Sequence, residues 1–382
     1  MHILFFISSL AGGGAERVTT NLANYWALRG WRITIVTLAP TGADTYPLDP
    51  RIQRLSLNIY GPSHNKLEAI RRNLKILRRL RATLQREAPQ VAVGMMADNA
   101  AILALSAAGL KETRTIGALR IDPKFHTGIR SIYHSKTFGL LSTVVAQTSE
   151  MAAWAKKTTY ARQVDVIPNP VIWPLPRTEP FLFPSDVCQA NRKLLLAVGR
   201  LTSQKGFDLL IEAFSSVAAR HPDWDLVILG VGQMRSDLLM LAARKGLQER
   251  LFLPGWAGNL PDWYARTDLF VMSSRTEGFP NALLEAMAYG LPAVSFDCDY
   301  GPSELIRHRE NGLLVPTGDV AGLASSLDTL MCDAELRTQF GLNAKQRRDD
   351  FSIETIAAQW ERLFITLCES PSRTAVKTEM AA

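Results

Sequence analysis

Two pairs of charged side chains in the second half of the chain have the chemistry to hold a diphosphate and a sugar attached to it. Arg200 and Lys205 lie in a loop directly after an apolar run, where two cations can neutralise a diphosphate and the charge that builds on a leaving group. Glu277 and Glu285 lie just before and inside a segment with helical apolar spacing. An acid beside a phosphate site should face neutral groups, so we expect sugar hydroxyls at Glu277 and a ribose at Glu285.

Residues 268–295 supply the elements that position these two acids. The first seven residues form an apolar run that predicts a buried strand, and Gly278 and Pro280 then interrupt it. Residues 281–289 have helical apolar spacing, Gly290 stands at a typical helix end, and a second strand follows. This order of strand, loop, helix and strand predicts a βαβ unit of a parallel sheet.

The start of that helix is a candidate anion site. We expect the backbone N–H groups near Asn281, Ala282 and Leu283 to be without partners and to carry the positive end of the helix dipole, which favours a phosphate. A plainer interpretation stays open, because acids near a helix start and basic residues in loops are common on solvated surfaces.

Two stretches of the sequence resemble signatures of the retaining glycosyltransferases of family 4, which have the GT-B fold. The first, from Glu277 to Pro292, reads Glu-Gly-Phe-Pro-Asn-Ala-Leu-Leu-Glu-Ala-Met-Ala-x-Gly-x-Pro. The second, at 199–206, reads Gly-Arg-Leu-x-x-x-Lys-Gly. The resemblance covers nearly the whole chain and is specific in the second half and loose in the first.

The resemblance implies a nucleotide diphospho-sugar donor, held by the second domain, and retention of the anomeric configuration. Glu277 would position and stabilise the sugar rather than act as a covalent nucleophile, and Arg200 and Lys205 would act with it. No metal or other cofactor is expected, because two cations and a helix start supply the positive charge. The Asp297-Cys-Asp299 spacing is interpreted as chance. The expected donor-binding residues are Glu285, Phe279, Pro280, Asn281, Ala282, Leu283, Gly13, Gly14, Gly230, Gly255, Trp256 and Arg120.

The first half of the chain offers a glycine loop and one arginine. Residues 11–17 follow an apolar strand and open a helix, so a ligand could approach the backbone closely there, although a plain glycine turn explains the pattern too. In the resembling family such a loop faces the donor phosphates and the acceptor, which implicates Gly13 and Gly14. Arg120 ends a predicted strand, where it could meet the donor sugar or an acceptor phosphate, or form a structural salt bridge.

Residues 66–87 carry most of the excess positive charge. Leucine and isoleucine recur there at helical spacing, and eight basic residues against two acids give +6, close to the net charge of +7 of the whole chain. The apolar stripe could pack on the sheet beneath a solvated basic face. The helix could also dock on an anionic membrane or a lipid diphosphate. Nucleic acid is not expected, because no nucleic-acid-binding motif or aromatic platform accompanies the basic residues.

Length predicts two domains, composition predicts a soluble globular protein, and the repeated order of strand, loop, helix and strand predicts an α/β fold. The chain has 382 residues, of which 47% are hydrophobic and 21% are charged. We expect a Rossmann-like acceptor-side domain at 1–170, a proline-rich linker at 171–192 and a Rossmann-like nucleotide-sugar-binding domain at 193–350. A helix at 351–368 should cross back to the first domain, and 369–382 should be a disordered tail. The two sheets are expected to face an interdomain cleft.

The lengths of the apolar runs and the pattern of the cysteines predict a cytoplasmic protein. No apolar run reaches membrane-spanning length, and the apolar start lacks the basic region of a signal sequence. The four cysteines are scattered and form neither a metal motif nor a disulfide framework. We therefore expect a cytoplasmic chain that works peripherally at the inner face of the cell membrane.

The expected activity is transfer of a hexose or N-acetylhexosamine from a UDP-sugar to a lipid-linked saccharide, such as a polyprenyl-diphosphate-linked one, during surface polysaccharide assembly. GDP-mannose is the rival donor. The alternatives from other classes are a protein that binds a sugar nucleotide without chemistry and a nucleotide-sugar epimerase on the same fold.

Overall fold

The chain divides into two units, each built on its own parallel sheet. The first unit comprises Met1–Pro170 and Ile353–Ala382, and the second comprises Val171–Ser352. The computed structural model describes residues 1–61, 65–120 and 128–369. The predicted tail lies, from residue 370 onward, outside the described residues.

The first sheet has seven strands in the described part of the unit, and every pair in it is parallel. They are β1 (His2–Ile7), β2 (Arg32–Thr37), β3 (Gln53–Ser56), β4 (Val91–Met95), β5 (Arg114–Ala118), β6 (Thr143–Ala146) and β7 (Val164–Val166), in the spatial order β3-β2-β1-β4-β5-β6-β7. The connecting helices are α1 (Gly14–Leu28), α2 (Lys66–Glu87), α3 (Ala97–Ser106), α4 (Ile129–Phe138) and α5 (Ser149–Thr158). The central strands are apolar and buried throughout, as expected of a parallel sheet whose two faces are covered.

The second sheet has six parallel strands. They are β8 (Lys193–Val198), β9 (Trp224–Leu229), β10 (Leu251–Gly255), β11 (Leu269–Met272), β12 (Ala293–Asp297) and β13 (Leu313–Pro316), in the order β10-β9-β8-β11-β12-β13. The helices are α6 (Phe207–Val217), α7 (Arg235–Arg244), α8 (Leu260–Arg266), α9 (Asn281–Ala288), α10 (Pro302–Leu305), α11 (Val320–Cys332) and α12 (Ala334–Gln346). The predicted βαβ unit is confirmed as β11, α9 and β12.

The strand order of each sheet reverses direction at one place. In the first sheet this switch point lies between β1 and β4, and in the second it lies between β8 and β11. Ligands of open parallel sheets bind outside the carboxyl strand ends at such points, because adjacent loops there turn to opposite sides and leave a crevice. The loops after β1, β8 and β11 are therefore the ones that this topology favours for binding.

The last helix, α13 (Ile353–Glu369), packs on the first unit. The Trp26 indole of α1 donates to a Glu361 carboxylate oxygen at 2.8 Å and lies 5.4 Å from the Phe364 ring. The proline-rich segment 171–192, in contrast, belongs to the second unit. The Trp263 indole of α8 donates to the Leu182 carbonyl at 2.8 Å, so this segment is held against α8.

The basic helix α2 is buried along only part of its length. Ile76, Leu80 and Leu84 are buried in the core of the first unit, whereas Leu67, Ile70 and Leu74 are 58%, 57% and 47% exposed. The expectation of one apolar stripe packed on the sheet is therefore wrong for the first half of the helix, residues 66–75. Among the described helices, none combines the length and the apolar character needed to cross a bilayer.

Candidate functional site

The loop after β8 is joined to the loop after β11 by hydrogen bonds. The Arg275 backbone N–H donates to the Gln204 carbonyl at 2.8 Å, and the Gln204 side-chain amide donates to the Thr276 carbonyl at 2.9 Å. The Ser273 hydroxyl donates to the Lys205 carbonyl at 3.0 Å. Both loops leave strands that flank the switch point, so these bonds fix the backbone where a ligand is expected.

Gly206 makes this junction possible. Its φ is +62°, which side-chain-bearing residues rarely adopt, and a Cβ there would lie 2.0 Å from the Ser273 carbonyl oxygen. The Lys-Gly pair of the second signature thus has a geometric cause: glycine lets the two loops touch, and the lysine before it is brought to the carboxyl edge.

Lys205 and Glu277 form an ion pair at this edge. Lys205 Nζ lies 2.5 Å from Glu277 Oε1, and the Ser274 hydroxyl donates to the same oxygen at 2.5 Å. Glu277 is only 5% exposed, so its carboxylate depends on these partners, because an unpaired charge is costly to remove from water. The ammonium has three N–H groups, and the bond to Glu277 uses one of them.

Cys298 lies near the Glu277 carboxylate and was not among the predicted site residues. It follows β12 and is 3% exposed. Burial, and then the negative charge of Glu277, hold the pKa of the Cys298 thiol well above its usual range. The thiol is therefore neutral and is not suited to act as a nucleophile. Only its position directly after β12 hinted at its place beside Glu277.

The first turn of α9 presents fewer open amides than expected. The Asn281 N–H donates to the Phe279 carbonyl at 3.0 Å, so the prediction that it lacks a partner is wrong. Ala282 is half-buried, and the Leu283 side chain is fully buried, so Leu283 could meet a ligand only through its backbone. The helix start, Pro280, has no side-chain cap, as a site open to an anion requires.

Phe279 and Pro280 are held in place by packing. The Phe279 ring lies 6.1 Å from the Phe351 ring, and Phe279 is 6% exposed. Gly301 has φ +132°, and a Cβ on it would lie 2.4 Å from Pro280 Cδ. The structure therefore gives both residues a role in fixing the loop that carries Glu277, while their contact with a donor stays a prediction.

Glu285 lies in the second turn of α9 and is 5% exposed. The Tyr264 hydroxyl, from α8, donates to Glu285 Oε2 at 3.2 Å. Tyr264 was not predicted, since an aromatic residue in a helix gives no signal of its hydroxyl's partner. The ribose role of Glu285 stays a prediction.

The glycines after β9 and β10 differ in what their conformations serve. Gly230 has φ +147°, and a Cβ there would lie 1.9 Å from the Gly199 carbonyl oxygen, so it allows the β8 loop to approach. Gly255 has φ +109° with open space around it, and Trp256 beside it is 46% exposed.

Arg200 is exposed and forms no ion pair with any residue in the described ranges. Its guanidinium is thus available to an anion.

In the first unit, the predicted glycine loop lies where β1 ends, at the switch point of that sheet. Gly14 begins α1 and is exposed, and Gly13 precedes it with an extended backbone. The Gly13 carbonyl accepts the Arg17 N–H at 3.0 Å. A Cβ on Gly13 would lie 2.4 Å from a Glu16 carboxylate oxygen, so a side chain would displace that acid.

Arg120 is buried, at 9% exposed, in the first unit. One guanidinium nitrogen donates to the Asn169 side-chain oxygen, and the guanidinium lies 5.8 Å from the centre of the Trp360 ring. Its Nε and Nη2 have no hydrogen-bond partner among the described residues, and burial lowers the pKa of Arg120 to about 9. Its contact with a substrate and the alternative of a structural salt bridge both stay predictions.

The second unit thus brings together what a diphospho-sugar would need. A cation and a buried carboxylate are in contact at the switch point, a second cation shares their loop, and a helix start lies directly after the acid. Such a site can hold a pyrophosphate, stabilise the charge of a leaving phosphate and place a carboxylate near a sugar.

Family sequence models match both halves of the chain. Residues 12–172 match the family described as "Glycosyltransferase Family 4", and residues 180–347 match "Glycosyl transferases group 1".

Individual relatives give the same result. The amylovoran biosynthesis glycosyltransferase AmsD of Erwinia amylovora is 26% identical over 94% of this chain and 98% of its own. A Campylobacter jejuni protein is 34% identical over 43% of this chain and 44% of its own, and is named N-acetylgalactosamine-N,N'-diacetylbacillosaminyl-diphospho-undecaprenol 4-alpha-N-acetylgalactosaminyltransferase. The crystal structure of Anabaena HepE with UDP and glucose superposes with a TM-score of 0.77, at 19% identity, over 96% of this chain and 100% of its own. The fold is therefore that of the GT-B glycosyltransferases.

Proposed function

Because the chain belongs to the family 4 glycosyltransferases, we propose that it transfers a hexose or N-acetylhexosamine from a UDP-sugar to a lipid-linked saccharide with retention of configuration. The reaction serves the assembly of a surface polysaccharide. The observation that carries the proposal is the contact between Lys205 and Glu277 at the switch point of the second sheet.

The proposed chemistry follows from the charges at this contact. The donor pyrophosphate binds Arg200, the two remaining N–H groups of Lys205 and the start of α9. The acceptor hydroxyl attacks the anomeric carbon on the face from which the phosphate departs, and the departing phosphate oxygen takes the hydroxyl proton. Glu277 stabilises the positive charge that develops on the sugar, while the cations stabilise the phosphate. These groups supply the charge that a metal would otherwise bring, so we propose a metal-independent reaction.

The substrate classes rest on the relatives. The HepE structure holds UDP and glucose, which supports a UDP-sugar donor. The Campylobacter protein is named for a diphospho-undecaprenol acceptor, and AmsD for amylovoran biosynthesis. We therefore propose a lipid diphosphate as the acceptor. GDP-mannose is the competing donor.

A donor panel tests the proposal directly. The purified protein is incubated with UDP-glucose, UDP-galactose, their N-acetyl forms and GDP-mannose together with a bacterial lipid extract, and the lipids are examined by mass spectrometry. We expect one UDP-sugar to extend a lipid by one hexose or N-acetylhexosamine. Extension of a lipid with GDP-mannose alone would show that the donor is GDP-mannose and not a UDP-sugar. Binding of UDP-sugars with no transfer and no slow hydrolysis would favour a binding protein, and a changed sugar nucleotide without any acceptor would favour an epimerase.

We also propose that the first half of α2, residues 66–75, docks on an anionic membrane. Leu67, Ile70 and Leu74 are exposed on one face, and Arg71 and Lys75 lie beside them. Basic residues in the later turns are engaged elsewhere: Arg79 donates to the Leu57 carbonyl at 2.7 Å, and Arg81 to the Ala108 carbonyl at 2.7 Å. An apolar patch flanked by exposed cations complements a negatively charged lipid surface.

A vesicle assay tests this surface. The double variant Arg71→Glu/Lys75→Glu should lose binding to vesicles containing phosphatidylglycerol, because each basic residue near such a surface contributes about 1 kcal/mol. Lys156→Glu/Lys157→Glu, which reverses two exposed charges on α5, is the matched control and should bind like the wild type. Equal loss in both double variants would show a general charge effect and contradict a docking role for α2.

A further inference from the structure

Three side chains at the opposite end of the second unit have the composition of a transition-metal site. In the described part of the chain, His221, Asp328 and Cys332 form a group whose candidate ligand atoms all lie within 4.8 Å of one another. His221 follows α6, and Asp328 and Cys332 lie four residues apart in the last turns of α11. Residues at this spacing share one face of a helix, so both can reach the same ion.

One ring nitrogen faces both other groups. His221 Nε2 lies 2.7 Å from Asp328 Oδ1 and 4.0 Å from Cys332 Sγ. In a tetrahedral zinc site, a nitrogen and an oxygen ligand are about 3.3 Å apart and a nitrogen and a sulfur ligand about 3.6 Å apart. Small side-chain movements, each of about 0.5 Å, would therefore bring these two pairs to zinc geometry.

We propose that His221, Asp328 and Cys332 bind a Zn²⁺ ion, with water at the fourth position. The imidazole and the carboxylate lose their mutual hydrogen bond, the thiol releases its proton to solvent, and the ion takes one bond from each. A thiolate with an imidazole selects Zn²⁺ or Co²⁺ over Mg²⁺, which prefers oxygen ligands. Cys332 is exposed, so the ion can enter and water can complete the site.

Arg220 would compete with a metal ion for the Asp328 carboxylate. Its Nη2 lies 3.1 Å from Asp328 Oδ1, but its side chain is 58% exposed, so the guanidinium can turn into solvent when the metal binds. Removing this cation should therefore tighten metal binding, which gives the proposal a gain-of-affinity test.

The zinc would serve the fold rather than glycosyl transfer. His221 lies just before β9, at the amino edge of the sheet, whereas Glu277 follows β11 at the carboxyl edge. A strand of six residues spans about 20 Å, so the ion would lie far from the reacting atoms. It would tie the end of α11 to the turn between α6 and β9.

Cobalt titration of the metal-free, full-length protein tests the site, with the near-ultraviolet thiolate-to-cobalt absorption as the signal. The wild type should develop this band, and Zn²⁺ but not Mg²⁺ should abolish it. Cys332→Ala should lose the band and weaken Zn²⁺ binding by more than the roughly 10- to 100-fold that loss of an outer-shell partner costs. Arg220→Gln should bind Zn²⁺ more tightly than the wild type.

Cys368→Ala is the matched control, since Cys368 is the other cysteine that is not buried. It should keep the band, and Zn²⁺ should raise its melting temperature as much as it raises that of the wild type. Asp328→Asn provides a second ligand variant that retains the size of the side chain, and it should also weaken binding. A band that survives in Cys332→Ala, or wild-type protein that binds no cobalt, overturns the proposal.

Discussion

Replacing Glu277 with glutamine tests the proposed chemistry most directly. The amide has the size of the carboxylate and keeps an oxygen where Lys205 and the Ser274 hydroxyl donate at 2.5 Å. Only the negative charge is lost. Lys205 would then keep a cation opposite a neutral group, and its side chain is 20% exposed, so water can compensate in part. We expect unfolding to become easier by about 1–2 kcal/mol, less than for a fully buried pair.

The effect on turnover should be much larger than the effect on stability. Removing one preorganised group that stabilises transition-state charge typically lowers kcat about 100- to 1,000-fold, or about 3–4 kcal/mol. We therefore expect Glu277→Gln to transfer sugar at this reduced rate while its melting temperature falls by about 2–8 °C. UDP affinity should stay the same or rise, because Lys205 is no longer neutralised by the carboxylate.

Three measurements separate the possible roles of Glu277. They are transfer to the lipid acceptor, UDP binding by calorimetry and thermal unfolding. Turnover within about threefold of the wild type would refute the proposed role, since no catalytic charge would then have been removed. Loss of UDP binding together with turnover would instead indicate that Glu277 acts only by holding Lys205. Ser274→Ala is the matched control, because it removes a bond to the same oxygen and leaves the charge in place.

Two further changes test the positioning of the site and the buried cation. Gly206→Ala should lower both stability and turnover, because the new Cβ would lie 2.0 Å from the Ser273 carbonyl oxygen. Thermal unfolding and donor kinetics measure the two effects. Unchanged kinetics would contradict the coupling of the two loops. Arg120→Met should leave stability unchanged or raise it at neutral pH, because it removes a buried cation that has no carboxylate partner within the described ranges. Burial lowers the pKa of Arg120 to about 9 in the folded protein. Between pH 9 and the higher pKa that Arg120 has in the unfolded chain, the unfolded chain holds more protons than the folded one. The free energy of unfolding of the wild type should therefore rise with pH relative to that of the variant. Chemical unfolding of both proteins from pH 8 to 10.5 measures this difference, and parallel curves would contradict it.

Much of the candidate site in the second unit could be predicted from residue order alone. The alternation of apolar runs, glycines and helical spacing over 268–295 determined β11, α9 and β12, because these patterns depend on neighbours in sequence. The same reasoning placed Lys205 and Glu277 after strands. It also located the basic helix between Lys66 and Glu87, whose bounds the structure reproduces.

Contacts between distant segments could not be predicted in this way. Cys298 lies beside Glu277, and Tyr264 bonds Glu285, only because the sheet order brings β12 and α8 near α9. The engagement of the Asn281 amide depends on the path of the preceding loop, which sequence periodicity does not describe.

The sequence by itself determined which residue types are available and which elements carry them, since local spacing and backbone preference are properties of the chain. Tertiary structure alone decided which of those residues meet. It brought Lys205 to Glu277 across 72 positions, buried Arg120 beside Asn169 and exposed the first half of the α2 stripe. The physical reason is that pairing, burial and desolvation depend on the neighbours that folding supplies, and residue order does not specify those neighbours.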